Sequence, residues 1–521
     1  MADLGDFDII VVGGGVNGAG IARDAAGRGL STLLVEKDDL AHGASSRSSK
    51  LVHGGLRYLE YYEFRLVREA LIEREVLLKA APHIIWPMRF VLPHSSEQRP
   101  AWLIRMGLFL YDHLGGRKLL PPTRTIDLRE EPEGAPLKKD YVLAFEYSDC
   151  WVDDARLVVL NALDACRRGG RVLTRTALAS ARRSGERWNV SLKLEAGEEC
   201  SARGRALVNA AGPWVEDVLR AAGANSVNRV RLVKGSHIIT PKFWKGDQAY
   251  LLQNADRRVI FVSPYESDLA LIGTTDVSFS RGPEHVEIED EEIDYLLGVT
   301  SRYFAKGPTR ADVIGAFSGV RPLFDDETDN ASAVTRDYVF DLDTSAGAAP
   351  LLSVFGGKIT THRRLAEQAL KRLASFFPSM KPAWTETAPL PGGDFDASNF
   401  GAFLRTARLR FPWLPEEVAT GYARRYGTRM HNLLAGANSV EDLGPRFGGS
   451  LFEREVRFLA AEEWAETAED VLERRTKYYL HMSAPERAEF EAWFAAQIRA
   501  EIAPAVVAQS GEAVLARRNR D

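Results

Sequence analysis

Gly13, Gly15, Gly18 and Glu36 are the residues whose types and spacing most directly imply chemistry. The glycines form G-x-G-x-x-G straight after the apolar run Ile9-Ile10-Val11-Val12, with Gly14 and Asn17 between them. In such a turn the first glycine permits the reversal and the second lets backbone amides approach a pyrophosphate. The third lets the following helix pack close to its strand. The helix N-terminus favours negative charge at the same place. Glu36 ends a second apolar run, Thr32-Leu33-Leu34-Val35, where a carboxylate can accept hydrogen bonds from an adenosine ribose. The unit reads the ADP half that NAD and FAD share and does not choose between them.

The elements that must position these groups are a strand over residues 7–12, a helix over 19–29 and a strand over 32–35. Residues 63–80 read as an amphipathic helix with Leu66, Ala70, Leu71 and Leu77 on or near one face. Residues 82–122 are irregular, apolar and aromatic, with interleaved arginines. Asp153 or Asp154 can cap a helix that runs to about Arg168 and stops at Gly169-Gly170. Strands are expected at 171–174 and 188–194, with several short ones between 230 and 275. A second strand-to-glycine turn spans 206–214. The buried strand 351–355 should break at Gly356-Gly357 and lead into a helix from about 361 to 377. Pro389-Leu390-Pro391-Gly392-Gly393 reads as a linker, so a domain boundary falls near 390. Helical periodicity dominates beyond it, at 416–435, 453–465 and 485–502.

The 521 residues suggest two to four domains, and 45% hydrophobic with 27% charged residues is the composition of a soluble globular protein. A net charge of −5 gives no sign of a nucleic-acid partner. Cys150, Cys166 and Cys200 lie far apart, which fits a reduced compartment and no metal set. Residues 1–6 lack the basic region and apolar core of a secretory signal. No run approaches 18 uninterrupted apolar residues, so no spanning helix is expected, although lying on a membrane remains open. No second G-x-G-x-x-G follows a strand. That argues for one dinucleotide and for electrons arriving directly from a small substrate.

At this level of detail the chain resembles the FAD-dependent glycerol-3-phosphate dehydrogenases. Residues 12–29, Val-Gly-Gly-Gly through Arg28-Gly29, are similar to that family's first signature. Gly356-Gly357-Lys358-x-x-Thr361-x-Arg363-x-x-Ala366 is similar to its second. Ser48-Ser49-Lys50-Leu51-Val52-His53-Gly54-Gly55-Leu56-Arg57-Tyr58, Glu146 to Leu157, Lys234-Gly235-Ser236-His237, Ile272-Gly273-Thr274-Thr275-Asp276 and Ser318-Gly319-Val320-Arg321-Pro322-Leu323 extend the likeness. One departure is His362, where the family has tyrosine. The resemblance implies an α/β multidomain fold: a glutathione-reductase-like FAD-binding Rossmann domain (1–80, 151–233, 340–389), a β-rich substrate domain (81–150, 234–339) and a helical C-terminal domain (390–521). It implies oxidation of sn-glycerol 3-phosphate to dihydroxyacetone phosphate, with electrons passed to a membrane quinone. An oxidase using oxygen, or a scaffold that binds FAD without turnover, are the alternatives. It also implies a cofactor site made of Gly13, Gly14, Gly15, Asn17, Gly18, Glu36, Lys37, Ser45, Ser46, Ser48, Ser49, Lys50, Leu51, His53, Gly54, Gly55, Ala211, Gly212, Gly356, Gly357, Lys358 and Thr360.

That substrate carries a dianionic phosphate beside a secondary alcohol. Arginine suits the phosphate because its planar fork makes paired charge-assisted hydrogen bonds. Arg57 and Arg321 are expected in that role, with Tyr58 beside them and Arg336 a weaker candidate. Oxidation removes a hydride from carbon and a proton from oxygen, so the protein chiefly supplies positioning and a base. His237 is the expected base and His53 the runner-up. Lys358, at a strand-to-helix junction, is expected to stabilise negative charge on the flavin's N1–C2=O edge.

Trp86, Arg89, Phe90, Trp102, Leu103, Arg105, Met106, Leu108, Phe109 and Leu110 mix aromatic, apolar and basic groups, as an interfacial helix does or as a buried helix of the substrate domain with arginines snorkelling out would. The resemblance implies a cytoplasmic location attached to the inner face of the cell membrane, with this region as the candidate contact. The C-terminal helices suit a homodimer or another partner equally.

Overall fold

The computed structural model describes residues 2–254, 256, 258–274, 276–325, 337–344 and 347–499. Strand β1 (Ala2–Val12), helix α1 (Val16–Gly27) and strand β2 (Thr32–Val35) form the N-terminal unit. Ile9, Ile10, Val11 and the whole of β2 are buried, as expected of parallel strands covered on both faces. β1 pairs in parallel with β2 and with strand Glu199–Asn209, which pairs in parallel with Leu351–Gly356. Arg171–Leu173 extends the sheet beyond β2, and Tyr338–Asp343 closes the other edge antiparallel. A hairpin, Thr176–Ser184 and Arg187–Leu194, completes eight strands. α1 packs against helices Asp154–Arg167 and His362–Leu373. Asp153 caps the first of these, accepting from the Arg156 amide at 3.2 Å.

A second, ten-stranded sheet lies beside the first. Helix α2 (Phe64–Ala80) leads into strand Ile85–His94, and helix α3 (Ala101–Leu114) follows. Strand β3 (Val230–Pro241) pairs antiparallel with Leu269–Gly273 and with β4 (Gly315–Phe324). His237 thus stands opposite Gly273 on one side and Phe317 on the other, and Val233 stands opposite Arg321.

Residues 82–122, which gave no period, hold one strand and one helix. The strand buries Ile85, Met88, Phe90, Val91 and Leu92, so neither face alternates with polar residues. Trp86 packs on Trp151, and Arg89 binds Glu146 at 2.7 Å. Trp86, Arg89 and Phe90 are therefore not part of an interfacial helix; Trp102 to Leu110 do lie on helix α3, where Leu108 is buried.

The C-terminal segment has its own core, including Tyr422, Tyr426, Met430, Leu443, Val456, Leu459 and Phe490. The helix expected over 416–435 stops at Tyr426, because Gly427 takes φ +53°. A Cβ at Gly427 would sit 1.9 Å from the Gly392 carbonyl oxygen, so the linker presses directly on this turn. Helix Ala484–Phe494 gives way to a π-helical turn at 495, and the expected end at 502 lies outside the described residues. Buried ions join this segment to the first sheet. Asp39, 1% exposed, accepts from Arg475 at 2.6 and 2.7 Å and from Arg474 at 2.5 Å.

No helix among the described residues is long and apolar enough to cross a membrane.

Candidate active site

One cavity of about 780 Å³ runs from the β1–α1 turn to the edge of the second sheet. At its inner end Gly13 takes φ +112°, and a Cβ there would lie 2.5 Å from the Ala210 carbonyl oxygen. A Cβ at Gly18 would lie 1.9 Å from the Gly13 carbonyl oxygen. These two positions admit only glycine, and they bring the α1 N-terminus against the turn. Ser45, from a loop far along the chain, accepts from the Val16 amide at 3.0 Å. Glu36 accepts from the amides of Gly14 (2.5 Å) and Asp38 (2.9 Å). Burial nonetheless lifts its carboxyl to about 7.

This end fits FAD on its own geometry. The glycine turn leaves a cradle at a helix N-terminus, and Glu36 lines the cavity where a ribose would lie. Asn17 donates to the Gly356 carbonyl at 3.2 Å, while its buried Oδ1 has no partner among the described residues. Gly357, at φ +107°, leaves room for that amide: a Cβ would stand 2.8 Å from Asn17 Nδ2.

The other end holds the cations. Gly55 takes φ +75° and opens a 3₁₀ turn, Leu56–Tyr61, which carries Arg57 and Tyr58. Lys358 sits over the Tyr58 ring at 3.9 Å. Arg321, on β4, donates from Nη1 to Asp276 Oδ1 at 2.5 Å and from Nη2 to Thr274 Oγ1 at 2.8 Å. Arg57 reaches the other oxygen of Asp276 at 3.9 Å. Arg321 crosses β3 only because Gly235 has no side chain: a Cβ there would lie 2.0 Å from Nη2. Gly273 does the same for His237, whose Cδ2 would stand 2.2 Å from a Cβ.

His237 is 3% exposed and stacks on Phe317 at 4.9 Å. Its Nε2 meets Ser49 Oγ at 2.9 Å, and its Nδ1 is sealed in the protein without a partner among the described residues. The Nε2–Ser49 edge is therefore the one available to the cavity. Burial holds this imidazole down to about 3, and the Arg321 and Lys50 cations add to the effect. His53 also lines the cavity. Burial lowers it too, with Asp149 opposing and Lys358 and Arg74 reinforcing.

Of the residues expected here, Gly13, Gly15, Asn17, Glu36, Lys37, Ser45, Ser48, Ser49, Leu51, His53, Gly55, Arg57, Tyr58, Ala211, Gly212, His237, Arg321, Gly356, Gly357, Lys358 and Thr360 all line the one cavity. Gly14, Gly18, Ser46, Lys50 and Gly54 do not. They shape it from behind. Lys50 is buried, donating to Asp154 at 2.8 Å and to the Ser46 carbonyl at 3.0 Å, while Ser48 holds the other Asp154 oxygen at 2.7 Å. The serine loop is thus pinned to a carboxylate rather than free. Gly54 donates its amide to Tyr111 Oη at 2.8 Å. Arg336 lies outside the described residues. His362 is buried beside Gly20, its Nδ1 2.7 Å from the Ile359 carbonyl, and does not line the cavity.

Sequence reasoning assigned no role to Thr274 and Asp276, although they stood in a quoted motif. Their signal was Gly273 and Gly235, two strand glycines that make room for larger groups.

A family model described as FAD dependent oxidoreductase matches residues 8–363. Another, the C-terminal domain of alpha-glycerophosphate oxidase, matches residues 383–492. The chain therefore belongs to the FAD-dependent oxidoreductases, and FAD is its cofactor. Within that family it is 60% identical over 496 residues to a D-erythritol 1-phosphate dehydrogenase of Brucella abortus, covering 95% of this chain and 99% of that protein. It is 50% identical over 490 residues to the aerobic glycerol-3-phosphate dehydrogenase of Escherichia coli, covering 93% and 97%. The fold matches the glycerol-3-phosphate dehydrogenase of Bacillus halodurans complexed with FAD. The TM-score is 0.74 at 24% identity, and 94% of each chain is covered.

Proposed function

We propose that this chain oxidises the secondary alcohol of a short polyol phosphate, sn-glycerol 3-phosphate, to dihydroxyacetone phosphate. The observation that carries this reading is the convergence of Arg57, Arg321, Lys358 and His237 on the cavity that holds the dinucleotide turn. When bound, FAD supplies the hydride acceptor. Arg57 and Arg321 hold the phosphate, and that anchor fixes the alcohol against the flavin edge. His237 takes the hydroxyl proton at Nε2, the edge it shares with Ser49. Phosphate seated on Arg321 offsets one of the cations that depress His237, so the base strengthens as substrate binds. Lys358 places positive charge near the flavin edge that gains negative charge.

The Brucella abortus relative favours a second reading in the same site, D-erythritol 1-phosphate, which is longer by one hydroxymethine. The deciding experiment adds each polyol phosphate anaerobically to purified protein. Bleaching of flavin absorbance by sn-glycerol 3-phosphate is expected. Bleaching by the four-carbon substrate alone would transfer the assignment, and bleaching by neither would defeat it.

The proposed electron acceptor is a quinone reached from a membrane surface on the cytoplasmic side. α3 supports this. Trp102, Phe109 and Met106 are 67%, 60% and 48% exposed, and Tyr62, which lines the same cavity, is 81% exposed. Leu103, Met106 and Leu110 of the same helix line the cavity mouth. An apolar surface continuous with the flavin cavity suits a lipid-dissolved acceptor. Reoxidation by a soluble quinone should outpace reoxidation by oxygen; the reverse order would make the enzyme an oxidase.

A further inference from the structure

We propose that Asp276 is a built-in counter-anion of the phosphate site. It occupies the arginine pair and sets how strongly an anion must bind to displace it. The proposal rests on the phosphate-binding reading above but assigns a residue that the reading leaves without a role.

The geometry is a shared carboxylate. Asp276 Oδ1 takes the Arg321 Nη1 hydrogen at 2.5 Å, and Oδ2 lies 3.9 Å from Arg57 Nη1. Its side chain is 10% exposed, against 32% for Arg321 and 24% for Arg57. All three line the cavity. The guanidinium groups expected to grip a phosphate are thus already drawn together by a carboxylate in the same space.

Two consequences follow from electrostatics. A guanidinium edge that donates to a carboxylate cannot donate fully to phosphate, so an incoming anion must take over bonds already made. A fixed negative charge also repels every other anion at that distance, a dianion about twice as strongly as a monoanion. Asp276 therefore weakens the binding of phosphate and of singly charged anions alike. It also lets product phosphate leave, because the carboxylate is ready to reclaim the arginines. Thr274 belongs to the same arrangement: its hydroxyl holds Nη2 of Arg321 at 2.8 Å, so the fork keeps its orientation when Nη1 changes partner.

The opposite role is an orienting one, in which Asp276 aims the arginines and its loss weakens anion binding. The two roles predict opposite signs. The test is calorimetric titration of inorganic phosphate into the FAD-loaded enzyme, wild type against Asp276→Asn, with chloride as the monoanion competitor. Asp276→Asn should bind phosphate at least about tenfold more tightly, the scale of one nearby charge at partial exposure. It should also become more sensitive to chloride. Unchanged or weaker phosphate binding in a folded, FAD-loaded variant overturns the proposal.

If Asp276→Asn does not retain FAD, the wild type still decides. Its infrared difference spectrum on phosphate addition should show a carboxylate band shifting as the guanidinium bond is lost. A spectrum without that shift overturns the proposal. Neither measurement needs turnover. A wild type that binds phosphate but is bleached by no polyol phosphate would refute the substrate reading and leave the Asp276 proposal standing.

Discussion

Gly235→Ala tests the phosphate site without removing any functional group. A Cβ at this position would lie 2.0 Å from Arg321 Nη2 and 2.5 Å from Thr274 Oγ1. Ordinary contact begins near 3.4 Å, so the guanidinium must retreat by about 1.4 Å, the difference 3.4 − 2.0. Gly235 is not among the glycines with positive φ, so alanine costs the strand no backbone strain. The obstructed atoms are ends of flexible side chains, so the fold should survive. A misplacement of about 1 Å in a positioning group costs on the order of 10²-fold in rate, or about 2.7 kcal/mol. We expect kcat/KM for the polyol phosphate to fall by about that factor. FAD content and thermal midpoint should stay near wild type. The assay is stopped-flow flavin reduction, with flavin quantified by absorbance and unfolding followed in parallel. A variant that reduces its flavin at the wild-type rate would show that Arg321 does not hold the phosphate where the geometry puts it.

Glu36 gives a pH signature. Burial lifts its carboxyl from the ordinary 4.5 to about 7, so ionised Glu36 costs stability that grows from pH 4.5 to about 7 and is constant above. Ribose hydroxyls donate to the ionised form, so apoprotein should bind FAD more tightly as pH rises through 7. Glu36→Gln should flatten that slope, and a slope kept in the variant would place the titration elsewhere. His237→Ala should slow flavin reduction by about 10²–10⁴ at neutral pH while FAD is retained; a near-normal rate would move the base to His53. Changing Trp102 and Phe109 to serine should lower vesicle binding and quinone reduction together, while flavin reduction in solution persists. Vesicle binding equal to wild type would remove α3 from the membrane contact.

The dinucleotide end was legible because its chemistry demands fixed spacing: Gly13, Gly18 and Glu36 each answer one local steric or hydrogen-bonding need. The substrate end was legible only through family likeness. Arg57, Arg321 and Lys358 come from three distant segments, and nothing in the periodicity of any one of them points to the others. Residues 82–122 were opaque for a physical reason. A strand buried on both faces shows no alternation, and a helix with an apolar outer face shows no polar stripe. The buried ion pair of Lys50 was not legible, because its partner Asp154 lies 104 positions on. The helix break at Gly427 could not be read either, since its cause, the Gly392 carbonyl, belongs to the linker.

The buried Asp39 has a meaning for how the chain is made. It follows β2 directly and belongs to the dinucleotide end, yet among the described residues the side chains that hydrogen-bond its carboxylate are Arg474 and Arg475, more than four hundred positions later. A buried carboxylate stripped of its partner costs about 3–5 kcal/mol. During synthesis the N-terminal end emerges first and would ordinarily fold first. Here the carboxylate lacks its hydrogen-bonded arginine partners until nearly the whole polypeptide has appeared. The FAD-binding region thus reaches its final stability only after the helical segment docks, so a premature stop before residue 474 should leave an unsettled chain for proteases rather than a working flavoprotein.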